Sequence, residues 1–223
     1  MIPRLSSATI DIPTYVSQGY AVFMPDIRYS RNGEPGEDCL DAVVSGTEMI
    51  IKEGIADRER IGLQGHSWGG SQTVYVLTRT NLFRCGQPGA AVVDAISAYT
   101  ALRADGSPRM YMYENTQSRI GKTLWEVPEK YLKSTSILHA DKIGCPLLIF
   151  HNDNDGSVPF AQGRDLFLAM RRLHKPAWMM NYKGEDHFLS NPAAQEDWSI
   201  RMQQFFDYYL KDGILPRWME KKK

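Results

Sequence analysis

The chain has 223 residues, 43% of them hydrophobic, enough to bury one sizeable core. At roughly 100 to 200 residues per domain it is expected to form a single unit, residues 1–223. Lys plus Arg and Asp plus Glu both number 26, and a net charge of zero gives no long-range field to recruit nucleic acid or an anionic membrane.

The N-terminal residues Met1-Ile2-Pro3-Arg4-Leu5-Ser6-Ser7 contain no apolar stretch of the export type. No run approaches the roughly 18 apolar residues a membrane helix needs. As written, the chain is expected to be soluble and cytoplasmic, and periplasmic or secreted if an export signal lies upstream. Tyr20-Ala21-Val22-Phe23-Met24, stopped by Pro25-Asp26, is predicted to be the first strand, buried on both faces. A helix of about four turns follows, with Leu40, Val43, Val44, Thr47, Ile50 and Ile51 at helical spacing. Glu37 and Asp38 stand near its positive end and Gly54 beyond it.

Ile61-Gly62-Leu63-Gln64 reads as a strand leading into Gly65-His66-Ser67-Trp68-Gly69-Gly70, and Thr73, Val74, Val76 and Leu77 then mark a buried helix. Residues 90–96, 146–150 and 178–182 are further strand candidates, the last preceded by a helix carrying Leu166, Met170 and Leu173. A final helix places Trp198, Met202, Phe205 and Tyr209 on one face, opened by Asn191-Pro192 and closed by Gly213, with Pro216 beyond. Strands alternating with helices predict a mostly parallel α/β sheet. Residues 97–140 have weak periodicity and several tyrosines, as expected of an insertion that covers a site. Lys221-Lys222-Lys223 reads as a solvated tail. The three cysteines, Cys39, Cys85 and Cys145, are odd in number and widely separated, so they are read as structural thiols rather than a disulfide framework or zinc site.

Gly65-His66-Ser67-Trp68-Gly69 fits G-x-S-x-G, in which a strained strand-to-helix turn exposes the serine hydroxyl and flanking glycines relieve crowding. The helix N-terminus that follows aims backbone N–H groups at developing negative charge. A serine nucleophile needs a base near pKa 7, and five histidines compete. His187 follows the strand at 178–182, where the C-terminal edge of the sheet should lie. His151, beside the acid candidates, is read as structural; His66, inside the elbow, is expected to turn away from the reacting face; His139 and His174 read as surface or helix-end residues. Asp153 and Asp155 both follow the strand at 146–150, and either can be the carboxylate that orients the imidazole, the other being a turn former. Asp26 is expected to hold a loop. The order Ser, Asp, His is that of α/β-hydrolases.

These residues resemble the catalytic domain of the prolyl oligopeptidase family of serine peptidases. Gly65-His66-Ser67-Trp68-Gly69-Gly70 is similar to the family's elbow, His151-Asn152-Asp153-Asn154-Asp155-Gly156-Ser157-Val158-Pro159 to its H-G-x-x-D-x-x-V-P block, and Gly184-Glu185-Asp186-His187 to its histidine loop. Asn152 stands where the family has glycine. The resemblance, which runs from about residue 10 to the C-terminus, implies an α/β-hydrolase fold and a triad of Ser67, Asp155 and His187. It also implies an oxyanion donor in the Trp68 N–H, and a pocket bordered by Trp68 and Val158, with Tyr99, Tyr111 and Tyr113 as weaker candidates for which core or lid packing is the alternative. It implies hydrolysis of short peptides with no metal or cofactor, and leaves oligomeric state open. It further implies a propeller and the first sheet strands upstream, so the chain is expected to be N-terminally incomplete and to lack the loop bearing a second oxyanion donor. A carboxylesterase on the same fold and an inactive remnant are the alternatives.

Overall fold

The computed structural model describes residues 5–220; residues 1–4 and the expected tail Lys221-Lys222-Lys223 lie outside them. Strands β1 (Gly62–His66), β2 (Cys85–Gly89), β3 (Leu147–Phe150) and β4 (Ala177–Met180) form a four-stranded sheet in the order β1-β2-β3-β4, with every pairing parallel. The helices are α1 (Ile12–Ser17), α2 (Pro35–Lys52), α3 (Trp68–Leu77), α4 (Ala95–Tyr99), α5 (Pro128–Ser134), α6 (Ala161–Arg172) and α7 (Pro192–Leu210).

β3 shows why the sheet is sandwiched. Its four residues are at most 2% exposed, and successive side chains alternate between faces. Leu147 and Ile149 enter a cluster with Val43 of α2, Val74 and Leu77 of α3, and Leu166 and Met170 of α6. Leu148 and Phe150 join Tyr15 of α1 and Trp198, Met202, Phe205 and Phe206 of α7. Full burial of such side chains contributes about 1.5–3 kcal/mol each, so a continuous apolar strand is stable only with helices on both faces. The expected cap of α7 is formed, Asn191 Oδ1 accepting from Ala193 N at 2.9 Å and Ala194 N at 3.4 Å. The three cysteines are free and buried.

Two strand predictions need correction. Residues 20–24 do not form a buried strand: Phe23 and Met24 are 40% and 72% exposed, and among the described residues no backbone–backbone hydrogen bond involves residues 21–30. An extended segment becomes a strand only when a neighbour pairs with it, and β1, half-buried along its whole length, is the edge of the sheet and pairs only with β2 among the described residues. The second central strand is not 90–96 but β2, five residues earlier, with the sequence CGQPG. Its glycines let α3 and β3 approach; a Cβ on Gly86 would lie 2.4 Å from Leu77 Cδ1. Ala90 turns the chain with φ 43°, and α4 begins at Ala95, capped by Asp94.

Residues 97–140 contain a π-helical turn (Met112–Thr116), α5 and a 3₁₀ segment (Ser136–Lys142). They carry a separate aromatic cluster of Tyr99, Tyr113, Tyr131 and Ile120, and several of their side chains overhang the C-terminal end of the sheet.

Candidate active site

The turn between β1 and α3 is strained. Ser67 has φ 58° and ψ −118°, a region that costs a non-glycine residue about 1–3 kcal/mol and persists only when its surroundings enforce it. Two glycines do the enforcing. A Cβ on Gly65 would lie 2.2 Å from Gly69 O, and one on Gly70 would lie 2.2 Å from Gly89 O, so only glycine lets the strand, the turn and β2 pack this closely. Gly69, the last glycine of the pattern, has nothing within 4 Å of such a Cβ, so crowding is relieved at Gly65 and Gly70 instead. Ser67 N–H donates to Gly89 O at 2.8 Å. Trp68 is the first residue of α3, and its N–H therefore has no acceptor within the helix. Trp68 Nε1 donates to Tyr29 Oη at 3.2 Å, and Gln72 Nε2 donates to the same oxygen at 2.7 Å, which fixes the indole at the mouth of the turn.

Asp155 and His187 arrive on the loops after β3 and β4. His187 Nδ1 lies 2.8 Å from Asp155 Oδ2. Asp155 Oδ1 accepts from Ser157 N at 2.8 Å and Val158 N at 2.7 Å, and Oδ2 lies 3.3 Å from His151 Nε2. Burial would raise the pKa of this carboxyl, but the bonds from His151, His187 and the Val158 N–H outweigh it and hold the group well below the usual carboxylate range. An ionised carboxylate only accepts, so His187 carries its proton on Nδ1 and leaves the Nε2 lone pair free. His151 Nε2 also faces Val158 O at 3.1 Å, another acceptor, so it carries its own proton there and braces Asp155 from behind.

Asn152 and Asp186, which sequence reasoning missed, lock the two loops together. Asn152 Nδ2 donates to Asp186 O at 2.7 Å, and its Oδ1 accepts from Tyr182 N at 3.1 Å. Asp186 Oδ1 accepts from Gly156 N at 2.7 Å and from His187 N at 2.6 Å. Asn152 in place of glycine is thus a structural strut; the departure from the resembled pattern was its only signal. Asp153 serves the same region as a turn residue, accepting from Gly184 N at 2.7 Å. Asp26 is exposed and holds no loop through its side chain among the described residues.

Ser67, Trp68, Val158 and His187 line a cleft of about 130 Å³ open to solvent. Ser67 and His187 share it without a direct hydrogen bond between them. His66 does not line it, yet its ring is not remote: its centroid is 4.7 Å from that of His187 and 4.8 Å from that of Phe188. Burial, aided by the neighbouring His187, pushes the His66 pKa down to about 4, so it packs as a neutral ring. His174 is exposed at the end of α6 and His139 lies in the 3₁₀ segment. Tyr99 does not line this cleft and takes the packing alternative: it is 1% exposed, donates to Glu114 Oε1 at 2.5 Å, and packs edge-on against Tyr113, Tyr131 and Trp125. Tyr111 is 62% exposed, and Tyr113 lines only an adjoining cavity.

The family model described as the prolyl oligopeptidase family of peptidases matches residues 7–213. The chain belongs to the prolyl oligopeptidase family. It is similar to the peptidase YuxL of Bacillus subtilis strain 168, 26% identical over 198 residues that cover 87% of this chain and 29% of that protein. It is also similar to dipeptidyl aminopeptidase BIII of Pseudoxanthomonas mexicana, 27% identical over 201 residues covering 85% of this chain and 29% of that protein. Among solved structures, acylaminoacyl peptidase of Pyrococcus horikoshii superposes with a TM-score of 0.72 at 25% identity, over 85% of this chain and 31% of that one. The chain therefore has the α/β-hydrolase fold of prolyl oligopeptidase-family enzymes and spans under a third of the length of these relatives. No described helix is long and apolar enough to cross a membrane.

Proposed function

We propose that this chain is a single α/β-hydrolase catalytic domain, with residues 97–140 as its cover, that hydrolyses peptide bonds of short peptides through an acyl-enzyme. Ser67 Oγ attacks the scissile carbonyl while His187 Nε2 takes its proton. The Trp68 N–H donates to the oxyanion, and the peptide C–N bond breaks as His187 returns the proton to the leaving amine. Water, deprotonated by the same nitrogen, then cleaves the ester and releases Ser67. Asp155 keeps the Nδ1–H tautomer in place and stabilises the imidazolium.

One observation carries this reading above the rest. The 2.8 Å pair of His187 and Asp155 stands at the cleft that is also lined by a backbone-strained serine at a helix N-terminus. Family membership supports the peptidase class, and Trp68 and Val158 are positioned to border the bound acyl group. The test is turnover of aminoacyl and dipeptidyl anilides beside p-nitrophenyl esters, by wild type and Ser67→Ala. Anilide cleavage lost in Ser67→Ala is expected. Cleavage of esters alone would move the activity to an esterase, and anilide cleavage that survives Ser67→Ala would remove Ser67 from the chemistry.

A further inference from the structure

Arg109 is the one arginine among the largest fully buried side chains, at 1% exposure. Its Nε and Nη1 have no hydrogen-bond partner, and it joins none of the ion pairs formed by the described residues. Guanidinium groups do not shed their proton in proteins, so this is a buried, permanent charge with open donors. Such a group is costly unless an anion completes it.

Its location says where the anion comes from. Arg109 lines the cleft that contains Ser67 and His187 and also the adjoining cavity of about 60 Å³, forming part of the wall between them with Trp68 and Met112. Arg103 lines the first cleft as well, its Nη2 resting against Met112 Sδ at 2.7 Å. No aspartate or glutamate lines either space. Tyr113, itself buried, interacts with Arg109 in the adjoining cavity. Two cationic side chains and no carboxylate surround a space beside the candidate nucleophile, and one of those cations is held out of water with donors to spare.

We propose that Arg109 makes this cleft a receptor for a carboxylate of the bound peptide. That carboxylate is either an acidic side chain on the acyl side of the scissile bond or the free C-terminus of a short substrate. The proposal rests on the peptidase reading for the identity of its ligand, but its test needs no turnover. Hydrogen bonds to charged groups discriminate by roughly tenfold or more against a neutral isostere. Planar donors of the arginine type match carboxylate geometry better than a lysine ammonium does.

The experiment is an NMR titration of the full chain carrying Ser67→Ala with three probes. N-acetyl-glutamate α-amide offers only a side-chain carboxylate, N-acetyl-glutamine only a C-terminal one, and N-acetyl-glutamine α-amide neither. One charged probe is expected to bind about tenfold or more tightly than the neutral probe, and whichever does so identifies the source. That preference should vanish in Arg109→Gln. Equal affinity for charged and neutral probes overturns the proposal whether or not Arg109→Gln folds. So does a preference that persists in folded Arg109→Gln. Failure of the nucleophile test would leave probe binding intact, and failure of probe binding would leave the nucleophile test untouched.

Discussion

Replacing Asp155 with asparagine isolates the role of one carboxylate at nearly constant volume. Oδ1 faces two backbone donors, Ser157 N and Val158 N, and Oδ2 faces His187 Nδ1 and His151 Nε2. All four partners donate to the carboxylate, whereas an asparagine has only one accepting oxygen. Its NH₂ cannot stand against the two backbone N–H groups, because those cannot change protonation, so it must face the imidazoles. His187 then accepts at Nδ1 and carries its proton on Nε2, where it can no longer take one from Ser67. Losing the correct tautomer in a triad costs about 10⁴ in rate, close to 5.5 kcal/mol of barrier. The assay is kcat/KM on an aminoacyl anilide, with circular dichroism and a melting curve to show that the variant folds. A folded Asp155→Asn within tenfold of wild type would refute the assignment of Asp155 as the residue that sets the tautomer.

The other predictions concern positioning and stability. His66 has its pKa lowered to about 4 from 6.5 in the fold, so the unfolded chain binds more protons between those values. Stability should therefore fall as pH drops from 6.5 towards 4, by up to roughly 3 kcal/mol, and melting curves of His66→Phe should be flatter over that window. Asp155 has the opposite chemistry and a lower window: its depressed pKa contributes stability that is full above about 4 and is lost as pH falls further, so the stability gap between wild type and Asp155→Asn should narrow in acid. Asn152→Gly removes two part-buried bonds that tie the loops together and should cost about 1–3 kcal/mol in urea unfolding, with kcat reduced more than KM is raised. Gly65→Ala forces a Cβ to 2.2 Å from Gly69 O and should cost about 1–3 kcal/mol. Gly69→Ala meets no atom within 4 Å and should be neutral or slightly stabilising, as expected for alanine inside a helix; equal losses at the two positions would contradict the steric account of the elbow.

What could be read from the sequence follows from which forces are local. Leu147-Leu148-Ile149-Phe150 and the face of Trp198, Met202 and Phe205 are written in apolar spacing, and the structure buries them as that spacing requires. β2 is invisible by the same test, because Cys-Gly-Gln-Pro-Gly has poor strand propensity and becomes a strand only through two neighbouring strands and a closely packed α3. Tyr20-Ala21-Val22-Phe23-Met24 fails in the other direction, having strand composition without a pairing partner among the described residues. At the site, Ser67, Asp155 and His187 stand in short blocks with recognisable spacing. The struts Asn152 and Asp186 act across separations of 34 and 30 residues, which no local pattern encodes. Arg109 is equally silent, since a buried guanidinium and a solvated one look the same in one-letter code. Tyr99 could be read for a pocket or for packing because aromatic content in residues 97–140 serves its own cluster as readily as a pocket.

The central claim is that Ser67 is a nucleophile activated by His187. It is tested most directly by treating the full chain with an alkyl fluorophosphonate and mapping the adduct by mass spectrometry. The account predicts one phosphonyl group on Ser67, absent from Ser67→Ala and strongly slowed in His187→Gln. A folded wild-type chain that stays unmodified, or an adduct on another residue, would contradict it.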